Sequence, residues 1–164
     1  MCIKTNFAFT LVIASLILGT GVMLGAVGAH WLSGFAPPNL VETFKTGVHY
    51  QIIHGLGIFL LGVLEFMSHL ASPENKNLFP LKQFRLARNL MLLGIFLFSG
   101  HCYVYAITAN KFFVMPIPFG GVAFIIAWFY LALSFFKAML NQIKSERPME
   151  DRDEVLPGSS KHNL

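Results

Sequence analysis

Charge is scarce in this chain. Asp, Glu, Lys and Arg make up 12% of its 164 residues, about half of the roughly 25% usual in a soluble domain. Polar residues are too few to coat a soluble fold of this size. Cysteine is nearly absent too, at two residues, which excludes a disulfide scaffold. No stretch shows the two-residue alternation of an outer-membrane strand. There is no phosphate loop, nucleophile elbow or metalloprotease helix, and no catalytic residue is assigned. What the chain does have is apolar bulk: 55% hydrophobic residues, 17 of them phenylalanine. That excludes a disordered chain and leaves an integral membrane protein.

A spanning helix needs about 20 mainly apolar residues. Four stretches qualify, at about 7–28, 47–70, 86–109 and 117–138. In lipid each must satisfy its own backbone hydrogen bonds, so each is expected to be helical. The fold class is all-α, a four-helix transmembrane bundle in one domain over residues 1–140. Residues 141–164 carry Pro148, Pro157 and mixed charges, and read as a polar, disordered cytoplasmic tail. The first apolar run is too long for the h-region of a signal peptide, so it reads as an uncleaved helix, and Cys2 is assigned no lipid.

Placing both termini in the cytoplasm puts Lys4, Lys76, Lys82, Arg85, Arg88, Lys137, Lys144, Arg147, Arg152 and Lys161 inside. Only Lys45 and Lys111 are then outside. The positive-inside rule favours this arrangement, in the cytoplasmic membrane. The net charge of +4 is thus mostly a topology signal. Scattered basic residues without aromatic interleaving give no nucleic-acid footprint. Cys2 and Cys102 fall on different levels and cannot pair.

Without a hydrophobic drive between helices in lipid, close contact needs small residues. Gly21, Gly25 and Gly28 in the first helix, Gly100 in the third, and Gly120 and Gly121 in the fourth are the candidates. They suit packing within one chain. The Gly21/Gly25 spacing also suits a second copy.

Polar side chains inside spans are costly unless partnered. The second helix carries His49, Tyr50, Gln51, His54, Glu65 and His69. Glu65 lies eleven residues past His54, about three turns and roughly 16 Å along the axis, so the two belong to different sites. Arg85 and Arg88 enter the third helix at the level of Glu65, and a salt bridge to one of them would staple the two helices. At the opposite end, His30, Tyr50, Gln51, His54, Ser99, His101 and Tyr103 converge from three helices. This cluster, with His54 at its centre and His101 as its neighbour in depth, is the candidate site. Such groups fix helix register through hydrogen bonds, ligate haem or a transition metal, or relay protons. Two histidines without a third ligand make no metal signature, so no metal or cofactor is assigned.

The stretches Gly25-Ala-Val-Gly28-Ala-His30, Phe44-Lys-Thr-Gly47-Val-His-Tyr50-Gln51-Ile-Ile-His54, Leu97-Phe-Ser99-Gly100-His-Cys-Tyr103 and Pro118-Phe-Gly120-Gly121-Val-Ala-Phe124-Ile-Ile-Ala-Trp128 carry a resemblance. In order and spacing they resemble the small membrane family known as domain of unknown function four-two-three, or transmembrane protein two-five-six, with its YgdD-like and YwdK-like bacterial members. The resemblance covers roughly residues 7–138. It implies a four-helix protein of the bacterial cytoplasmic membrane, and no established activity. His101 and Ala127 depart from the family's usual small residue and glycine, which weakens His101 as a shared functional group. The expectation is a small non-enzymatic membrane protein, an accessory or assembly partner. Its surroundings are the lipid bilayer and either a membrane protein partner or a second copy. The alternatives are a transporter or channel for a small solute or proton, and a haem-binding or redox subunit using the histidines.

Overall fold

Long apolar runs build the four helical rods, and charged residues fall toward the ends of those rods. The computed structural model describes residues 5–72 and 79–154, with side chains described over 7–72 and 79–144. Expectations for Cys2, Lys4, Lys76, Lys161 and residues 155–164 fall outside the described residues. Helix α1 is Thr5–Ala26, continued by a π-helical turn at Val27–Trp31 and a 3-10 turn at Leu32–Gly34. Helix α2 is Pro38–Leu70. Helix α3, Leu81–Gly94, runs through a π-helical stretch at Ile95–Gly100 into α4, His101–Thr108. A 3-10 turn at Lys111–Val114 precedes α5, Ile117–Glu154. No strand occurs among the described residues. Four helical rods, Phe7–Gly34, Pro38–Leu70, Leu81–Thr108 and Lys111–Lys144, are long and apolar enough to cross a membrane. The end holding residues 34–38 and 109–116 is called the upper end here.

Helix α2 starts about three turns before the apolar run that marks it in the sequence. Pro38 sits in its first turn, where a missing N–H costs nothing. Leu40, Val41, Phe44 and Val48 are buried while Glu42, Lys45 and His49 are exposed. The segment is an amphipathic helix whose charged face masks it in a hydropathy reading. Helix α3 likewise begins at Leu81, burying Phe84, Ala87 and Met91 and leaving Lys82 exposed. Helix α5 continues past 138 to Glu154, through Pro148, where a polar tail is expected from sequence. Leu, Met, Arg, Lys, Gln and Glu, all good helix formers, supply ten of residues 139–154, and low hydropathy is not low helix propensity.

The turn between α4 and α5 is set by Ala109, in the left-handed region at φ 55°, whose N–H reaches the Tyr105 carbonyl over 2.8 Å. Asn110 then accepts a bond from the Phe112 N–H at 3.0 Å, which opens the 3-10 turn.

Helix α2 is the most enclosed of the four rods, packed between α1 and the third rod, while α5 packs chiefly on the third rod. Two apolar clusters form the core. The lower one gathers Ala14, Ile58, Leu61, Phe84, Ala87, Met91, Ala127 and Leu131. The upper one gathers Leu32, Leu40, Val41, Phe44, Val48 and Ala106. Gln51 and His54 of α2 fall between the two clusters in sequence, so a polar layer separates them. The outward faces carry large apolar side chains such as Leu16, Leu60, Phe96 and Phe129.

Glycines set the closest approaches. A β-carbon at Gly21 would lie 2.9 Å from Ile52, and one at Gly28 would lie 2.8 Å from the Phe44 ring. Gly25 faces Val48. The glycine face of α1 is therefore occupied by α2 of the same chain. A β-carbon at Gly120 would collide with the Phe98 backbone nitrogen, so α5 crosses the π stretch backbone to backbone. Gly121 meets only ordinary contacts with Phe98. Gly100, expected at a helix contact, meets nothing closer than the Ile95 carbonyl of its own rod, at 3.9 Å.

Candidate functional site

Gln51 is 5% exposed, and each of its amide's polar atoms is engaged. Nε2 donates to the Ile17 carbonyl at 2.8 Å and to Thr20 Oγ1 at 3.0 Å. Oε1 accepts the Tyr103 hydroxyl at 2.8 Å. One side chain thus ties three rods together with both amide hydrogens used. Each such bond in a membrane is worth on the order of 1 kcal/mol. Gly47 makes room for the Tyr103 ring, since a β-carbon there would lie 2.9 Å from it. Tyr103 also packs on Phe44, ring centres 4.7 Å apart.

A second polar junction lies near the lower end. Glu65 is 2% exposed. Its Oε2 accepts the Thr10 hydroxyl at 2.9 Å, and Thr10 Oγ1 accepts from Arg88 Nη1 at 2.7 Å. The direct Glu65–arginine pair expected from sequence is replaced by a relay through Thr10. The relay still holds opposite charges within roughly 6 Å, where they attract appreciably. Arg85 makes no bond to Glu65, and its buried Nε has no partner among the described residues. The physical reason is that α1 packs beside α2 at this level, with Gly62 against Leu11 and Thr10. The Thr10 hydroxyl therefore fills the gap between acid and base.

His54 does not join either junction. It is 3% exposed, and its Nδ1 lies 2.8 Å from the Tyr50 carbonyl one turn back. Its ring stacks on Phe124, with centres 3.4 Å apart at 12°, and meets Trp128 at 6.3 Å. Tyr50, Phe98, Phe124, Trp128 and His54 line a groove of about 430 Å³ between α2 and α5.

The remaining candidates separate. His30 is exposed at the end of α1's π turn. His101 turns away from His54, its ring against Phe96 at 6.0 Å and Phe113 at 6.2 Å. Its Nδ1 lies 3.3 Å from the Phe96 carbonyl. Ser99 is fully buried, with an Oγ that has no partner among the described residues. The seven-residue cluster therefore resolves into a Gln51–Tyr103 brace, a His54–Tyr50 groove wall, a separately buried Ser99 and two histidines elsewhere. Among the described residues, no three His, Cys, Asp or Glu side chains gather where they could hold a metal ion.

Sequence reasoning passes over Thr10, Thr20, Phe124 and Trp128. The threonines share their helix with Gly21 and Gly28, which face α2, and that spacing is the available signal for Thr10. The two aromatics look like any lipid-facing residue.

A family model described as "Protein of unknown function (DUF423)" matches residues 24–121. That range includes Gln51, His54, Glu65, Arg88, Ser99 and Tyr103, and leaves out Thr10, Thr20, Phe124 and Trp128. The chain is 36% identical over 117 residues to the UPF0382 membrane protein YwdK of Bacillus subtilis, covering 71% of this chain and 86% of that one. It is 32% identical over 127 residues to a UPF0382 membrane protein of Staphylococcus haemolyticus, covering 77% and 94%. A UPF0382 membrane protein of Haemophilus influenzae is 33% identical over 117 residues, covering 71% and 85%. No solved structure matches.

Proposed function

The chain belongs to the DUF423 family of membrane proteins, which has no assigned biochemical role, and from that premise we propose that it is a non-enzymatic accessory protein. It sits in the cytoplasmic membrane with both termini in the cytoplasm, and braces a partner membrane protein or a second copy of itself. The observation that carries this reading is how the polar groups inside the rods are used. Gln51 bonds to both Thr20 and Tyr103, and Thr10 bonds to both Glu65 and Arg88. Groups spent on holding helices together support a scaffold. They do not form the file of polar groups that a solute path requires.

Charge supports the orientation. Lys82, Arg85, Arg88, Lys137 and Lys144 fall toward the lower end, while Lys45 and Lys111 fall toward the upper end. The lower end then faces the cytoplasm by the positive-inside rule.

Crosslinking in native membranes, followed by isolation in mild detergent and mass spectrometry, tests the role. The expected result is one recurring membrane partner or a defined oligomer. Recovery of the chain alone, with only lipid, would overturn it.

A further inference from the structure

The groove between α2 and α5 has a feature that bracing does not explain. A carbonyl oxygen only accepts hydrogen bonds, so the 2.8 Å contact to the Tyr50 carbonyl places the ring proton of neutral His54 on Nδ1. Nε2 is then left with a lone pair. Nε2 makes no hydrogen bond among the described residues, yet it is not one of their three sealed, unpartnered polar atoms. It is reachable, and the ring that bears it lines the groove. An acceptor on a side chain 97% buried is thus presented from a wall of aromatic rings.

The other walls define what would suit that acceptor. Phe124 stacks on His54, Tyr50 lies 4.7 Å from Phe98, and Phe98 lies 5.9 Å from Phe124. Aromatic faces favour offset or edge-on contact with another flat ring. The volume of about 430 Å³ lies within the range of small-molecule sites. Three of the lining residues on α5, Ile125, Trp128 and Phe129, are exposed, so the groove opens toward the bilayer.

We propose that this groove binds a lipid-soluble hydroquinone-type molecule, a flat phenolic ring on an apolar body, whose hydroxyl donates to Nε2 of His54. The oxidised quinone offers only carbonyl acceptors, which the Nε2 lone pair repels. Binding therefore discriminates the reduced from the oxidised form of one ring. The site goes beyond the accessory role and stands or falls independently of any protein partner.

The test uses the full chain in phosphatidylcholine nanodiscs, titrated with decylubiquinol under argon and separately with decylubiquinone. Tryptophan quenching is read in a Trp31→Phe background, so that Trp128 reports. The expected result is saturable quenching, with a midpoint about two- to tenfold lower for the quinol, the span of one neutral hydrogen bond. His54→Phe keeps a stacked ring and removes the lone pair, and it should erase that preference. Gly121 lines the groove, and a β-carbon there meets only ordinary contacts. Gly121→Leu should therefore fill the groove and abolish saturation with the fold retained, which keeps the test open if His54→Phe fails to fold. Equal midpoints for the two forms, non-saturable partitioning of both, a preference that survives His54→Phe, or saturation that survives Gly121→Leu would each overturn the proposal.

Discussion

The Tyr103 hydroxyl reaches Gln51 Oε1 over 2.8 Å and so joins the third rod to the second. The same glutamine is bonded to the first rod at Ile17 and Thr20. Lipid gives apolar helices little reason to stay together, so register falls to such junctions and to the glycines that allow close approach.

The lower junction predicts a sharp effect at Thr10. Thr10→Val removes the hydroxyl between Glu65 and Arg88 and leaves both charges short of a partner. Stability should fall by about 1.5–3 kcal/mol, the range for hydrogen bonds to charged groups. Thr43→Val should change it far less, since the Thr43 hydroxyl bonds only within its own helix, to the Asn39 carbonyl. Thermal unfolding in detergent compares the two.

Glycines of the same motifs should respond in opposite ways. Gly120→Ala places a methyl against the Phe98 backbone, where neither chain can yield cheaply. It should destabilise by about 1–3 kcal/mol, as overpacking does. Gly100→Ala meets only an ordinary contact with the Ile95 carbonyl and should be neutral or stabilising by up to about 1 kcal/mol through reduced backbone freedom. Unfolding midpoints of both variants check this.

Ser99 carries a buried hydroxyl with no partner among the described residues. Ser99→Ala removes a polar group that gains nothing from burial, so stability should hold or rise by about 1 kcal/mol. A loss of more than that in thermal unfolding would show that Ser99 has a partner.

Orientation is open to direct labelling. In a Cys2→Ser background, Asn110→Cys at the exposed upper turn should react with a membrane-impermeant maleimide from outside intact cells. Ser72→Cys at the exposed lower end of α2 should react only after permeabilisation. The reverse pattern would invert the topology.

Much of this was legible in the sequence. The four spans, the burial of Gln51, His54 and Glu65, and the contact role of Gly21, Gly28 and Gly120 follow from apolar length and from the cost of polar or small residues in lipid. Rotation was not legible, because Leu and Phe suit lipid and core alike. Depth alone puts His101 and Tyr103 in one cluster, yet only Tyr103 turns toward α2. The same ambiguity hid Phe124 and Trp128 as groove walls. Helix limits are obscured in the sequence wherever charge shares an amphipathic helix, as at residues 38–47. The Thr10 relay is not visible in the sequence, because a threonine in an apolar run carries no charge to betray its role.

The claim that these buried polar groups are braces is tested most directly by a double-mutant cycle on Gln51→Leu and Tyr103→Phe, read as unfolding free energy in bicelles. The account predicts that each single change destabilises, with a coupling of about 0.5–1.5 kcal/mol between them. A coupling of zero, with both single variants as stable as the unaltered chain, would contradict it.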